Sequence, residues 1–356
     1  MKNNSISWFL GSNSEHGFHS LYDGFCAGAG DFLRIIKGGP GTGKSSFMRA
    51  IGRAAEEHGM AVEYILCSGD PDSLDGIYIP ELRLGYADGT APHVMDPGIF
   101  ALTGDYINIG THTSTGVPLP EREALATLTS GYKSYYARAY ELLGAAAAVS
   151  PSVTCAYAPD EVRAAVRSRA HGIAARELPS RRAGQSGKIK RRFLGGLTCA
   201  GRIMLTDTLA TLCPRLYLLD NRLGLGFEFT GELAREASER GVTAIVCPYW
   251  LAPERTEAVI FPELGLGFAV IDAFAKYPEE HRCLHLDRMA GGEVLRAVRP
   301  QLRDDEKLSD KLLERAGQCL AGAKALHDKL EAVYHPHVDF DALTKAVENE
   351  KRRLGL

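Results

Sequence analysis

The sequence has no long apolar run: nothing in its 356 residues approaches the roughly 20 consecutive apolar residues that a membrane-spanning helix needs. Residues 1–10 lack the charged-then-apolar layout of a secretory leader, so a cytoplasmic protein without a membrane partner is expected. Eight cysteines are scattered at 26, 67, 155, 199, 213, 247, 283 and 319, with no C-x-x-C pair and no histidine at zinc spacing. That scatter argues against a metal or disulfide framework and for reduced thiols. Excess charge is lacking too, since a net charge of −3 gives no global attraction to nucleic acid or anionic membranes. Neither the L-S-G-G-Q signature of transporter ATPases nor an N-K-x-D guanine reader occurs. With 45% apolar and 24% charged residues, the composition is that of a globular chain long enough for two cores.

Within this chain stands Gly38-Gly39-Pro40-Gly41-Thr42-Gly43-Lys44-Ser45, a complete G-x-x-x-x-G-K-[ST] phosphate loop. Residues 32–36 before it read as a buried strand, and Phe47, Met48, Ile51, Ala54 and Ala55 after it recur at helical spacing as far as Gly59. Such glycines let backbone N–H groups curl around the β-phosphate of a nucleotide, while the positive end of the following helix faces the same anion. Lys44 is expected to bridge the β- and γ-phosphates, Ser45 to place its hydroxyl on Mg²⁺, and Ser46 to reach the α-phosphate. ATP is the default nucleotide because no guanine reader is present.

The chain also repeats itself. Residues 79–87 (IPELRLGYA) return as residues 261–269 (FPELGLGFA), six of nine identical at an offset of 182. Phe9, Leu10, Gly11, Gly17, Leu21 and Asp23 match Phe193, Leu194, Gly195, Gly201, Leu205 and Asp207, each 184 apart. A tandem duplication follows, with its seam between 178 and 190. The expected fold is α/β: two tandem P-loop NTPase-type domains, 1–184 and 185–356, with mainly parallel sheets. In the second copy Gly224-Leu225-Gly226-Phe227-Glu228-Phe229 aligns with residues 41–46, so Phe227 falls on Lys44 and Glu228 on Ser45. That loop has lost its lysine and its metal-binding hydroxyl, and the second half is expected to be structural or regulatory, or to lend Arg222 to the first site.

A phosphate loop needs a carboxylate at the end of a neighbouring strand to hold Mg²⁺. Asp88, closing the strand reading of 82–88, is the first candidate, and Asp96 is the competitor. Asp70 and Asp72, in the acidic turn 67–76, are candidates for orienting water or an acceptor hydroxyl; a capped turn reads equally well there. His93 is a candidate γ-phosphate sensor, and Asp105 carries no motif that separates function from turn. Residues 121–148 and 159–178 read as a helical hairpin, with a second in 305–334 and 339–353. Tyr132, Tyr136 and Tyr140 lie on one helical stripe and read as core. The basic stretch 163–192, with Arg163, Arg167, Arg181, Arg182 and Arg192, reads as a solvated face, a phosphate lid or a local nucleic-acid patch.

Together the loop 37–46, the acidic segment 70–75, Ile79-Pro80-Glu81-Leu82, and Asp88-Gly89-Thr90-Ala91-Pro92-His93 with Asp96-Pro97 give the chain its resemblance to a family. It resembles a little-characterised group of bacterial ATPase-like proteins with tandem P-loop domains. The resemblance implies the tandem fold and ATP binding, but no particular substrate. An intact second loop is common in such proteins, and this chain departs from that. Three activities fit the sequence: a Mg²⁺-dependent ATPase using the first loop alone, a phosphotransferase for a small molecule or nucleotide, and a nucleotide-dependent switch with little turnover and a small-molecule or protein partner.

Overall fold

Leu33 and Ile35 share one face of a strand, and Arg34 and Ile36 share the other; both faces are covered, because side chains alternate at period two. The computed structural model describes residues 5–90, 95–114, 119–179 and 187–356, so His93, Arg181, Arg182 and the 184/185 boundary lie outside the described residues. The first half runs β1 (Ile6–Phe9), β2 (Gly11–Ser14), β3 (Gly17–Ser20), β4 (Phe32–Lys37), α1 (Lys44–Glu57), β5 (Glu63–Leu66), β6 (Leu74–Ile79), β7 (Leu84–Asp88), β8 (Gly104–Asn108), α2 (Leu119–Val149), α3 (Pro151–Thr154) and α4 (Asp160–Glu177). The second runs β9 (Ile189–Arg191), β10 (Gly195–Thr198), β11 (Gly201–Met204), α5 (Thr206–Leu212), β12 (Arg215–Leu219), α6 (Leu225–Arg240), β13 (Ala244–Pro248), β14 (Thr256–Phe261), β15 (Leu266–Val270), β16 (Arg282–Leu284), α7 (Gly292–Tyr334) and α8 (Phe340–Leu354).

The two six-stranded sheets have the same order, β1-β5-β6-β7-β4-β8 and β9-β13-β14-β15-β12-β16. In each, one strand (β6 or β14) runs against the other five, so the sheets are mixed but mostly parallel. The equivalent residues Phe9 and Phe193 pair with each other through backbone bonds of 3.0 and 2.9 Å. Such self-equivalent pairing marks a pseudo-two-fold axis between the copies. Leu33 and Ile35 of β4 meet Leu216 and Leu218 of β12 in one core that spans both sheets, while their outer faces are covered by helices.

The expected hairpins are absent, and the helices are exchanged instead. α4 buries Val166, Ala170 and Ala174 against α6 of the second half, and α8 lays Leu343 into the core under α1 of the first. α2 pairs antiparallel with α7, bringing Gly131 to Leu326 and Tyr135 to Gly322. Tyr132, Tyr136 and Tyr140 form an edge-on and tilted row on α2, with Tyr132 against His327 of α7. A helical stripe specifies that a face is buried without specifying which sheet covers it, and here each half's last helix covers its twin's.

Candidate functional site

β4 delivers the chain to the loop between its parallel neighbours β7 and β8, and α1 begins at Lys44. Gly41 and Gly43 hold φ of +68° and +86°, conformations that L side chains rarely adopt, which is why glycine occupies both turns of the loop. Gly38, Gly39 and Pro40 are half-buried, and Thr42 is buried with its hydroxyl donating to the Gly39 carbonyl at 2.8 Å. Lys44 folds back on the loop, donating to the carbonyls of Gly38 (2.9 Å) and Gly39 (2.8 Å), and stands 3.6 Å from Asp88. Ser45 accepts the Leu74 N–H at 2.9 Å, and Ser46 is exposed.

Asp88 ends β7 opposite Ile36, one strand over from the loop. Burial raises its carboxyl above the usual range, while Lys44 and the hydrogen bonds from Thr90 pull it down. Asp96 accepts from the Tyr106 hydroxyl at 2.6 Å, in a shallow cleft shared with Lys37 and Asn108. Asp105 is taken up by Arg34 at 2.7 and 3.0 Å. Asp70 accepts from the Ser73 hydroxyl and the Asp72 N–H, as a capped turn does, and lies 3.3 Å from Lys324 of α7. The acidic turn therefore faces the second half's long helix.

That helix also reaches the glycine loop 38–45, a contact no sequence motif announces. The Gly41 N–H donates to the Glu331 carboxylate of α7 at 3.1 Å, with Glu331 and His335 packed where a Cβ on Gly41 would stand. Leu343 of α8 covers Gly43 in the same way. The turn between α7 and α8 is stitched down by Asp339 N–H to His112 carbonyl (2.8 Å), Ser114 N–H to His337 carbonyl (2.8 Å) and His337 to Glu121 (2.8 Å). A carboxylate from the second half thus sits on an N–H of the first half's glycine loop.

The second loop differs by one residue from its sequence alignment. The ring pair Phe47–Tyr86 is repeated by Phe229–Phe268, which sets the offset at 182 through the helix as well as the strand. Gly226, facing Val270, therefore stands where Lys44 faces Asp88, and Phe227 stands where Ser45 does. The loop is one residue shorter and keeps one left-handed glycine, Gly224, instead of two. Several of its N–H groups are taken internally: Asp287 accepts from Arg222 (2.9 Å) and Leu223 (3.2 Å), and Asn221 from Phe227 (3.1 Å). Burial and neighbouring Asp220 raise Asp287 to about 6.

Arg222 does not act across the interface; it forms a two-pronged pair with Glu306 of α7 at 2.7 Å. Of the basic stretch, Arg163 (3.3 Å) and Arg167 (2.6 Å) hold Glu228 and Arg192 approaches Glu63 at 3.8 Å, all away from the first loop. All eight cysteines are free thiols, and no helix among the described residues is long and apolar enough to cross a membrane.

The donors at the first loop suit a nucleoside triphosphate with Mg²⁺. A backbone N–H there already holds a carboxylate, a lysine is poised on carbonyls, and Ser45 and Asp88 offer the hard oxygen atoms that Mg²⁺ prefers. In comparisons with known proteins, no family model, no curated protein and no solved structure matches this chain.

Proposed function

We propose that this chain binds ATP with Mg²⁺ at the loop 38–46 and hydrolyses it there, using one site per chain. The observation that carries this reading is the Lys44–Asp88 pair, 3.6 Å apart, at the head of α1 between a glycine loop and a strand end. Lys44 would exchange the Gly38 and Gly39 carbonyls for β- and γ-phosphate oxygens, and loop N–H groups would take the rest of the charge. Bound Mg²⁺ would neutralise phosphate charge, with Ser45 and Asp88 as its protein oxygens. Before any of this, Glu331 must leave the Gly41 N–H, since two anions cannot share one donor in a small loop.

That requirement also favours a second reading, a nucleotide switch with little turnover in which ATP displaces the α7–α8 arm. Phosphate release separates the two: steady release from ATP alone supports hydrolysis, and tight binding with no release supports the switch. Lys44→Ala is expected to abolish nucleotide binding or turnover, and wild-type behaviour of this variant would overturn both readings. Calorimetric titration with a non-hydrolysable ATP analogue should find one nucleotide per chain, because the second loop has no lysine and gives its Arg222, Leu223 and Phe227 N–H groups to Asp287 and Asn221. Two per chain would refute the one-site arrangement.

A further inference from the structure

At the second loop, where the first has its lysine and hydroxyl, lies a cavity of about 410 Å³. Its apolar wall includes Phe227, Leu251, Val270 and Leu313, with the Tyr249 ring tilted against Phe227 at a centroid separation of 4.9 Å. Its charged groups mostly satisfy one another: Arg222 pairs with Glu306, Arg202 with Asp310 at 2.5 Å, and Asp272 accepts the Phe274 N–H at 2.8 Å. Glu257 is the exception. It is 2% exposed, lines the cavity, and among the described residues its Oε2 has no hydrogen-bond partner.

The orphan is peculiar to this half. At the equivalent position of β6, Asp75 accepts from the Tyr22 hydroxyl at 3.0 Å. Burying an acid oxygen without a partner is costly, so its retention on a cavity wall calls for a donor that the described residues do not supply. The ligand it suits is positively charged, because the cavity's two arginines are already matched by Asp310 and Glu306, while Asp220 and Asp272 also line it with no arginine or lysine of the cavity left to match them. A bare metal ion suits it less well. The groups of three ligating side chains that converge within 4.8 Å among the described residues, at His171, Glu232 and Glu236 and at His327, Asp328 and Glu331, do not line it.

We propose that this cavity binds a small organic amine, its ammonium against Glu257 and its apolar body against Phe227 and Leu251. Burial, with Asp272 nearby, pushes Glu257 well above the usual carboxylate range. An ammonium beside it favours the carboxylate form, and any proton the acid carries leaves to solvent as the ion pair forms. Aromatic walls add cation–π attraction. The proposal does not depend on nucleotide binding at the first loop.

Calorimetric titration of the full chain with phenethylamine, and with phenethyl alcohol as its uncharged counterpart, tests this. The amine is expected to bind at least about tenfold more tightly than the alcohol, and Glu257→Gln, a neutral side chain of the same shape, to lose about tenfold or more of the amine affinity. Far-UV circular dichroism checks the fold of the variant, and the amine–alcohol comparison needs no variant at all. Absence of amine binding at millimolar concentration, equal binding of amine and alcohol, or wild-type amine affinity in folded Glu257→Gln would each overturn the proposal.

Discussion

Glu331 and a phosphate group want the same backbone N–H, and that competition makes one residue testable in isolation. In the wild type the carboxylate must be displaced before an anion enters, and once displaced it still stands near the negative charge. Glu331→Ala should therefore tighten binding of an ATP analogue by about two- to tenfold, read by calorimetry, with Lys44 and Asp88 untouched. Weaker binding would mean that Glu331 assists the nucleotide. Phe227→Ala should leave analogue affinity at the first loop unchanged, since Phe227 lies in the other half's cavity wall. At this scale the sequence was informative where chemistry is local: the order of glycines, Lys44 and Ser45 is contiguous, and Asp88 is readable as the acidic end of a strand. Glu331 is not readable, because it meets Gly41 across 290 residues of chain.

Helix α8 carries the next test. Its Leu343 is 6% exposed over Gly43, and its Glu350 joins Arg34 at 2.7 Å, Arg353 at 2.8 Å and the Tyr86 hydroxyl. Leu343→Ala should cost about 2–5 kcal/mol in chemical denaturation, the range for truncating a buried leucine, and should loosen α8 in hydrogen exchange before the sheets open. Burial by itself would raise Glu350, but the hydrogen bonds from Arg353, Tyr86 and Arg34 outweigh it and bring the carboxyl down from 4.5 to about 2. A depressed carboxylate contributes fully above its unfolded value and loses that contribution as pH falls through the folded one. Exchange protection of α8 should thus fall between pH 4.5 and about 2, and Glu350→Gln should flatten that dependence. The helices themselves are legible from their stripes, and their ends lie within a few residues of expectation for α2, α4 and α8. The one-residue shortening of the second loop is not, because the glycines of both loops align equally well without a gap.

For the whole molecule, the exchange of α4 and α8 removes any clean cut between the halves. Residues 5–179 alone would keep α4 without α6 and leave the face of Leu33, Ile35 and Ile65 without its partner. Expressed separately, each half is expected to aggregate or to bind hydrophobic dyes, whereas the full chain unfolds as one unit; two soluble, folded halves would disprove this. The duplication is visible in the sequence because both copies keep the same strand-forming core and the same turn at 79–87 and 261–269. Legible in the sequence alone are the α/β class, the glycine-rich Gly38–Ser45 segment with its lysine, the absence of that lysine from the second copy, and the repeat, because each is carried by short contiguous segments. Tertiary structure alone decided that each copy's last helix covers its twin, that α7 brings Glu331 to Gly41, and that Glu257 lines a cavity with its Oε2 lacking a hydrogen-bond partner among the described residues. The reason is physical: burial of an apolar face is specified locally by its pattern, but its partner is chosen by which surface, anywhere in the folded chain, best excludes water and satisfies the remaining polar groups.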